Sequence, residues 1–97
     1  MLTSPNYDVV TIDTNPEKYR IVSEVYVVYT QRKKYVAALD METARSGIPV
    51  SIWAGAASLA AAIERLRSEN HGKIIGLEIW IEKESEDRFA KFKVSEA

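Results

Sequence analysis

Residues 20–41, RIVSEVYVVYTQRKKYVAALDM, decide the fold. Two runs rich in Val, Ile and Tyr flank a cationic centre, a β-hairpin pattern with Arg32, Lys33 and Lys34 at its tip. A two-residue loop at Arg32 and Lys33 sets Thr30 opposite Tyr35, Val28 opposite Ala37 and Tyr26 opposite Leu39. Neither Arg nor Lys favours positive φ, so a wider loop or a one-residue slip stays open; a slip exchanges the two faces. The first arm reads as one long strand over 20–30 and the second as its partner over 34–41.

Working outward, residues 7–12 (YDVVTI) are β-branched and short, and predict a first strand. Asn15, Pro16 and Glu17 then suit a tight turn or a single helical turn. On the C-terminal side, residues 42–50 read as a loop punctuated by Gly47 and Pro49, with a short extended segment near Trp53. Residues 56–70 (AASLAAAIERLRSEN) are the clearest helix. Leu59, Ile63 and Leu66, with Ala56, Ala60 and Ala62 nearby, recur at three- and four-residue spacing, and Gly72 is a natural left-handed stop.

A second hairpin follows: residues 73–83 (KIIGLEIWIEK), a four-residue loop ESED, and residues 88–94 (RFAKFKV). Alternation places Ile75, Leu77, Ile79 and Ile81 against the helix, with Ala90, Phe92 and Val94. The opposite face then carries Glu78, Trp80 and Glu82 beside Phe89, Lys91 and Lys93. In that register Trp80 stands opposite Lys91, Glu82 opposite Phe89 and Glu78 opposite Lys93. The expected fold is α+β: an antiparallel sheet of two hairpins plus an N-terminal strand, packed on one main α-helix, in a single domain over residues 1–97.

Composition bounds the function. The 97 residues contain no cysteine, which excludes disulfides and thiolate metal sites. The longest apolar stretch, residues 52–63, is too short to span a bilayer, and the N-terminus lacks the basic and apolar regions of a signal peptide, so a cytoplasmic protein is expected. One Gln and three Asn beside many Glu, Lys and Arg lean toward a thermophile. The formal net charge of −1 argues against a strongly basic nucleic-acid binder but leaves room for local basic patches. His71, the sole histidine, sits at a helix end. Asp13, Asp40 and Glu42 form no evident acid–base pair, and the four glycines are scattered rather than gathered in a phosphate loop. No catalytic residue, metal or cofactor is expected.

Aromatic rings interleaved with cations on a sheet suit single-stranded nucleic acid, because bases stack on the rings while the cations track phosphates. Trp80, Phe89, Lys91 and Lys93 form such a set, and Arg32, Lys33, Lys34 and Tyr35 could extend it. The competing reading is a wet sheet face stabilised by its own cross-strand pairs, or a homodimeric protein-interaction module sealed through Trp80 or the Ala-rich helix. The two hairpins around SLAAAIERL and the aromatic–basic sheet resemble the short ThermoDBP-related proteins, an archaeal single-stranded DNA-binding family, over about residues 5–95. The resemblance implies a sheet-and-helix groove with apolar and basic walls, single-stranded DNA or RNA as partner, and a homo-oligomer such as a dimer. It rests on pattern, and it assigns no individual residue.

Overall fold

The computed structural model describes residues 2–32 and 34–97. Its strands are β1 (Glu17–Ile21), β2 (Tyr26–Thr30), β3 (Lys34–Thr43), β4 (Pro49–Trp53), β5 (Glu78–Lys83) and β6 (Phe92–Glu96), with one helix, α1 (Ala57–Glu69), between β4 and β5. All the strand ladders are antiparallel. The sheet runs β2–β3–β1–β5–β6, and β4 pairs with β3. The expected α+β class is therefore the observed one. Among the described residues no helix is long and apolar enough to cross a membrane.

β3 is the hub. One edge carries β2 along 34–38 and β1 along 41–43, and the other carries β4 along 38–42. The run over 20–30 is thus a single path along β3, broken in the middle. Between the Ile21–Met41 and Tyr26–Ala38 pairs, residues 22–25 stand opposite only Leu39 and Asp40. The two surplus residues make a bulge and leave the alternation of faces intact on both sides of it. Ser23 explains the bulge: its Oγ accepts the Asp40 N–H at 2.9 Å, while Val22 N–H donates to Asp40 O at 3.0 Å.

The hairpin tip departs from the expected register by one residue. Thr30 pairs with Lys34, Tyr29 with Tyr35, Val28 with Val36 and Tyr26 with Ala38. The connection is wider than two residues and ends on Lys34 at φ 63°. The disfavoured two-residue Arg–Lys turn is replaced by a longer connection. Lys33 lies outside the described residues.

Three further expectations are corrected. Residues 7–12 form no ladder; they touch β4 through one parallel bridge, Val9 to Ser51. Residues 42–50 close a third hairpin, in which Gly47 at φ 68° and the Thr43–Ile48 backbone bond join β3 to β4. β5 begins at Glu78 rather than at 73, because Gly76 at φ 94° turns the chain and donates to Ile21 O.

α1 presses Leu59, Ala62, Ile63 and Leu66 onto one face of the sheet, against Ile21, Leu39, Met41, Ile52, Ile79 and Ile81. Each large side chain buried there contributes about 1.5–3 kcal/mol. On the far face of β3, Asp40 is only 3% exposed. Its carboxylate accepts from the Tyr26 hydroxyl, from Ser51 Oγ at 2.7 Å and from Asn6 Nδ2 at 2.8 Å. Asn6 N–H and Tyr7 N–H in turn donate to the Tyr26 and Ser51 hydroxyls, which ties the N-terminal residues across this face. Burial, and then the bond to Asp40, hold the Tyr26 phenol above its ordinary pKa, so it remains a donor.

Asp40→Ala would strand three donors in this network. The expected loss is about 3 kcal/mol in urea denaturation, against about 1 kcal/mol for Asn6→Ala.

Candidate nucleic-acid interface

Alternation along β5 sends Ile79 and Ile81 under the helix and Glu78, Trp80 and Glu82 to the far face. Trp80 is 43% exposed, between Lys18 on β1 and Ser95 on β6. Next to it the charges cancel. Glu78 meets Lys18 at 3.1 Å and Arg20 at 3.2 Å, and Arg20 also meets Glu42 at 3.1 Å. The hydrogen bonds from Lys18 and Arg20 hold the Glu78 carboxyl below its ordinary pKa.

The β5–β6 register corrects the expected one by four residues. Trp80 stands opposite Ser95, not Lys91; Glu82 stands opposite Lys93, not Phe89. The cause is the loop. Asp87 Oδ1 accepts Phe89 N–H at 2.9 Å and Asp87 O accepts Ala90 N–H at 2.9 Å, so the turn consumes residues assigned to the strand. Glu84 N–H closes the loop on Lys91 O at 3.0 Å. A shift by an even number keeps the faces, so Lys93 still shares a side with Trp80 and Glu82. Phe89 leaves the sheet altogether. It is 82% exposed, with the Arg88 guanidinium 4.9 Å from its ring centre.

β6 is an edge strand, and α1 lies along that edge. Phe92 N–H donates to Ser58 Oγ at 3.0 Å, and Arg65 Nη2 donates to Val94 O at 2.7 Å. Between helix and strand runs a groove lined by Ser58, Ala61, Ala62 and Arg65 on one wall and by Phe92, Lys93, Val94 and Ser95 on the other, reaching Trp80 and Glu82. It adjoins a second depression formed by Ala56, Ala57, Arg88, Phe89, Ala90 and Lys91. There α1 begins without a side-chain cap and without an acidic residue in its first turn, so the positive end of its dipole is uncompensated. Of the ionisable groups lining the two depressions, Arg65, Arg88, Lys91 and Lys93 are cationic and only Glu82 is anionic.

Trp80 and Lys93 thus line the groove, and Phe89 and Lys91 line the depression that adjoins it. The structure does not bring the first hairpin there. Tyr35 packs edge-on against Tyr29 at 5.3 Å, on the face opposite Trp80 by the alternation of β3, and β2 lies at the other end of the strand order. Arg32 and Lys34 are exposed at that distant tip. Sequence reasoning missed Ser58, Arg65 and Phe92 as groove residues. The first two could have been found: Ser58, Ala61 and Arg65 recur at three- and four-residue spacing beside the apolar stripe of α1. No family model, curated protein or solved structure matches the chain.

Because Phe89 is exposed and Trp80 half-exposed, neither holds the fold together. Phe89→Ala is expected to change stability by less than about 0.5 kcal/mol. Trp80→Ala should cost about 1–2 kcal/mol, with the far-ultraviolet circular dichroism unchanged. A Trp80→Ala chain that fails to fold would make the indole a structural plug.

Proposed function

We propose that this protein is a non-enzymatic, single-stranded nucleic-acid-binding protein that uses the groove between α1 and β6. One observation carries the reading: three aromatic rings, Trp80, Phe89 and Phe92, line adjoining depressions whose charges are four cations and one carboxylate. Bases stacked on exposed rings gain about 1–3 kcal/mol each, and this term tolerates any base. Phosphates between them meet Arg65, Arg88, Lys91 and Lys93. The local concentration of cations reconciles such a ligand with a net charge of −1. The resemblance to the ThermoDBP-related proteins points the same way, and a cytoplasmic role in a thermophilic archaeon belongs to the same proposal.

Self-association is the second reading, and a different surface favours it. Val27 and Tyr35 are 56% and 65% exposed on one side of the β2–β3 hairpin, beside Tyr29. Apolar side chains gathered on a small protein often mark a partner site. A homodimer formed there would leave the groove open, so the two readings are compatible.

Engaging four cations predicts a slope of about −3 for log K against log salt with a short oligothymidylate. Trp80→Ala should weaken binding about tenfold, while Arg32→Ala and Lys34→Ala should change it little. Titration of tryptophan fluorescence at two salt concentrations checks the slope, and anisotropy of an end-labelled oligothymidylate compares the variants, since Trp80→Ala removes the groove's own reporter. Sedimentation with and without the oligonucleotide distinguishes binding from dimerisation. A salt-independent affinity, or a Trp80→Ala variant that alters only the oligomeric state, would overturn the proposal.

A further inference from the structure

Two acids flank the indole along β5, and their situations differ. Glu78 is held by Lys18 and Arg20. Glu82 is half-buried, lines the groove and faces Lys93 across the ladder, yet among the described residues it forms no ion pair. An unpaired carboxylate among cations repels phosphate. It complements a cation or a ligand group that donates hydrogen bonds, and in a single DNA strand the donors are on the base edges.

Trp80 and Glu82 are two residues apart on the same face, about 7 Å along the strand. That spacing lets a base stacked on the indole turn an edge toward the carboxylate. An ionised carboxylate is acceptor-only, with two oxygens side by side. The Watson–Crick edge of guanine offers two adjacent donors, N1–H and the N2 amino group, which match both oxygens at once. Adenine and cytosine each place one amino donor beside an acceptor nitrogen, which opposes the second oxygen. Thymine and uracil place one N–H between two carbonyls.

We propose that the groove contains a guanine-preferring subsite in which the base stacks on Trp80 and presents its Watson–Crick edge to Glu82. The proposal rests on the groove being a single-strand site. It adds selectivity at one position to a mode of binding that is otherwise indifferent to sequence.

The test uses the full chain with short oligothymidylates carrying one central guanine, hypoxanthine, adenine or cytosine, or none. Guanine should bind on the order of tenfold tighter than adenine or thymine at that position, with hypoxanthine, which lacks the N2 amino group, in between. Glu82→Gln should abolish the preference. It should also tighten all-thymine binding, since one negative charge leaves the groove. Equal affinities for guanine and adenine, or a preference that survives Glu82→Gln, would overturn the subsite. If the all-thymine strand binds with the salt dependence given above but guanine adds nothing, only the subsite fails. If no oligonucleotide binds, the reading of the groove fails and the subsite with it.

Discussion

A carboxylate buried in the middle of β3 sets the terms for the rest of the molecule. Placing Asp40 out of water costs several kcal/mol unless donors surround it. Those donors come from β2 as Tyr26, from β4 as Ser51 and from the N-terminal segment as Asn6. The backbone N–H of the same residue takes Ser23 from the bulge. One residue thereby locks the register of β3 against neighbours on both edges. β1 continues past the bulge on the same edge of β3, β5 pairs with β1, and β6 with β5. The direction in which Trp80 points follows from this chain of ladders. A one-residue slip of β1 on β3, or of β5 on β1, would bury the indole and turn Ile79 and Ile81 into water.

At the other end of the sheet, the free edge of β6 presents the opposite problem, that of backbone groups without strand partners. α1 supplies partial cover. Ser58 and Arg65 satisfy Phe92 N–H and Val94 C=O, and the small side chains of Ala61 and Ala62 line the space between. The edge is thus closed to a further strand near its start while a groove stays open beside it. Charge is divided in a parallel way. Around β1, Lys18, Arg20, Glu42 and Glu78 neutralise one another, whereas the two depressions beside β6 are lined by four cations and one acid, with Arg65 shared with Glu69 at 3.5 Å. The electrostatic character of the groove arises from pairing elsewhere on the same sheet as much as from the cations themselves.

The sequence shows those features that depend on local period. The stripe of Leu59, Ile63 and Leu66 marks the helix, and the alternation in residues 78–83 turns Trp80 outward; that orientation survives a four-residue error in register because the error is even. Features governed by distant partners are not visible. The bulge at Ser23 answers to Asp40, seventeen positions away. Residues 7–12 have strand-like composition, yet the N-terminal segment that contains them is held largely by side-chain hydroxyls and one bridge rather than by a ladder. The β5–β6 loop is set by Asp87, whose side chain and carbonyl hold a turn that simple loop length does not suggest. For the site, Trp80 and Lys93 were legible from alternation. Phe89 was legible as exposed but not as a loop residue, and Arg65 becomes visible only once the helix is laid along the β6 edge.

The most direct test of the groove is an amide and indole NMR titration of the labelled chain with a short oligonucleotide at low salt. The Trp80 indole resonance and the amides of residues 58–65 and 88–95 are predicted to shift together, while those of the β2–β3 tip stay in place. Shifts confined to that tip, with the Trp80 indole unmoved, would contradict the account.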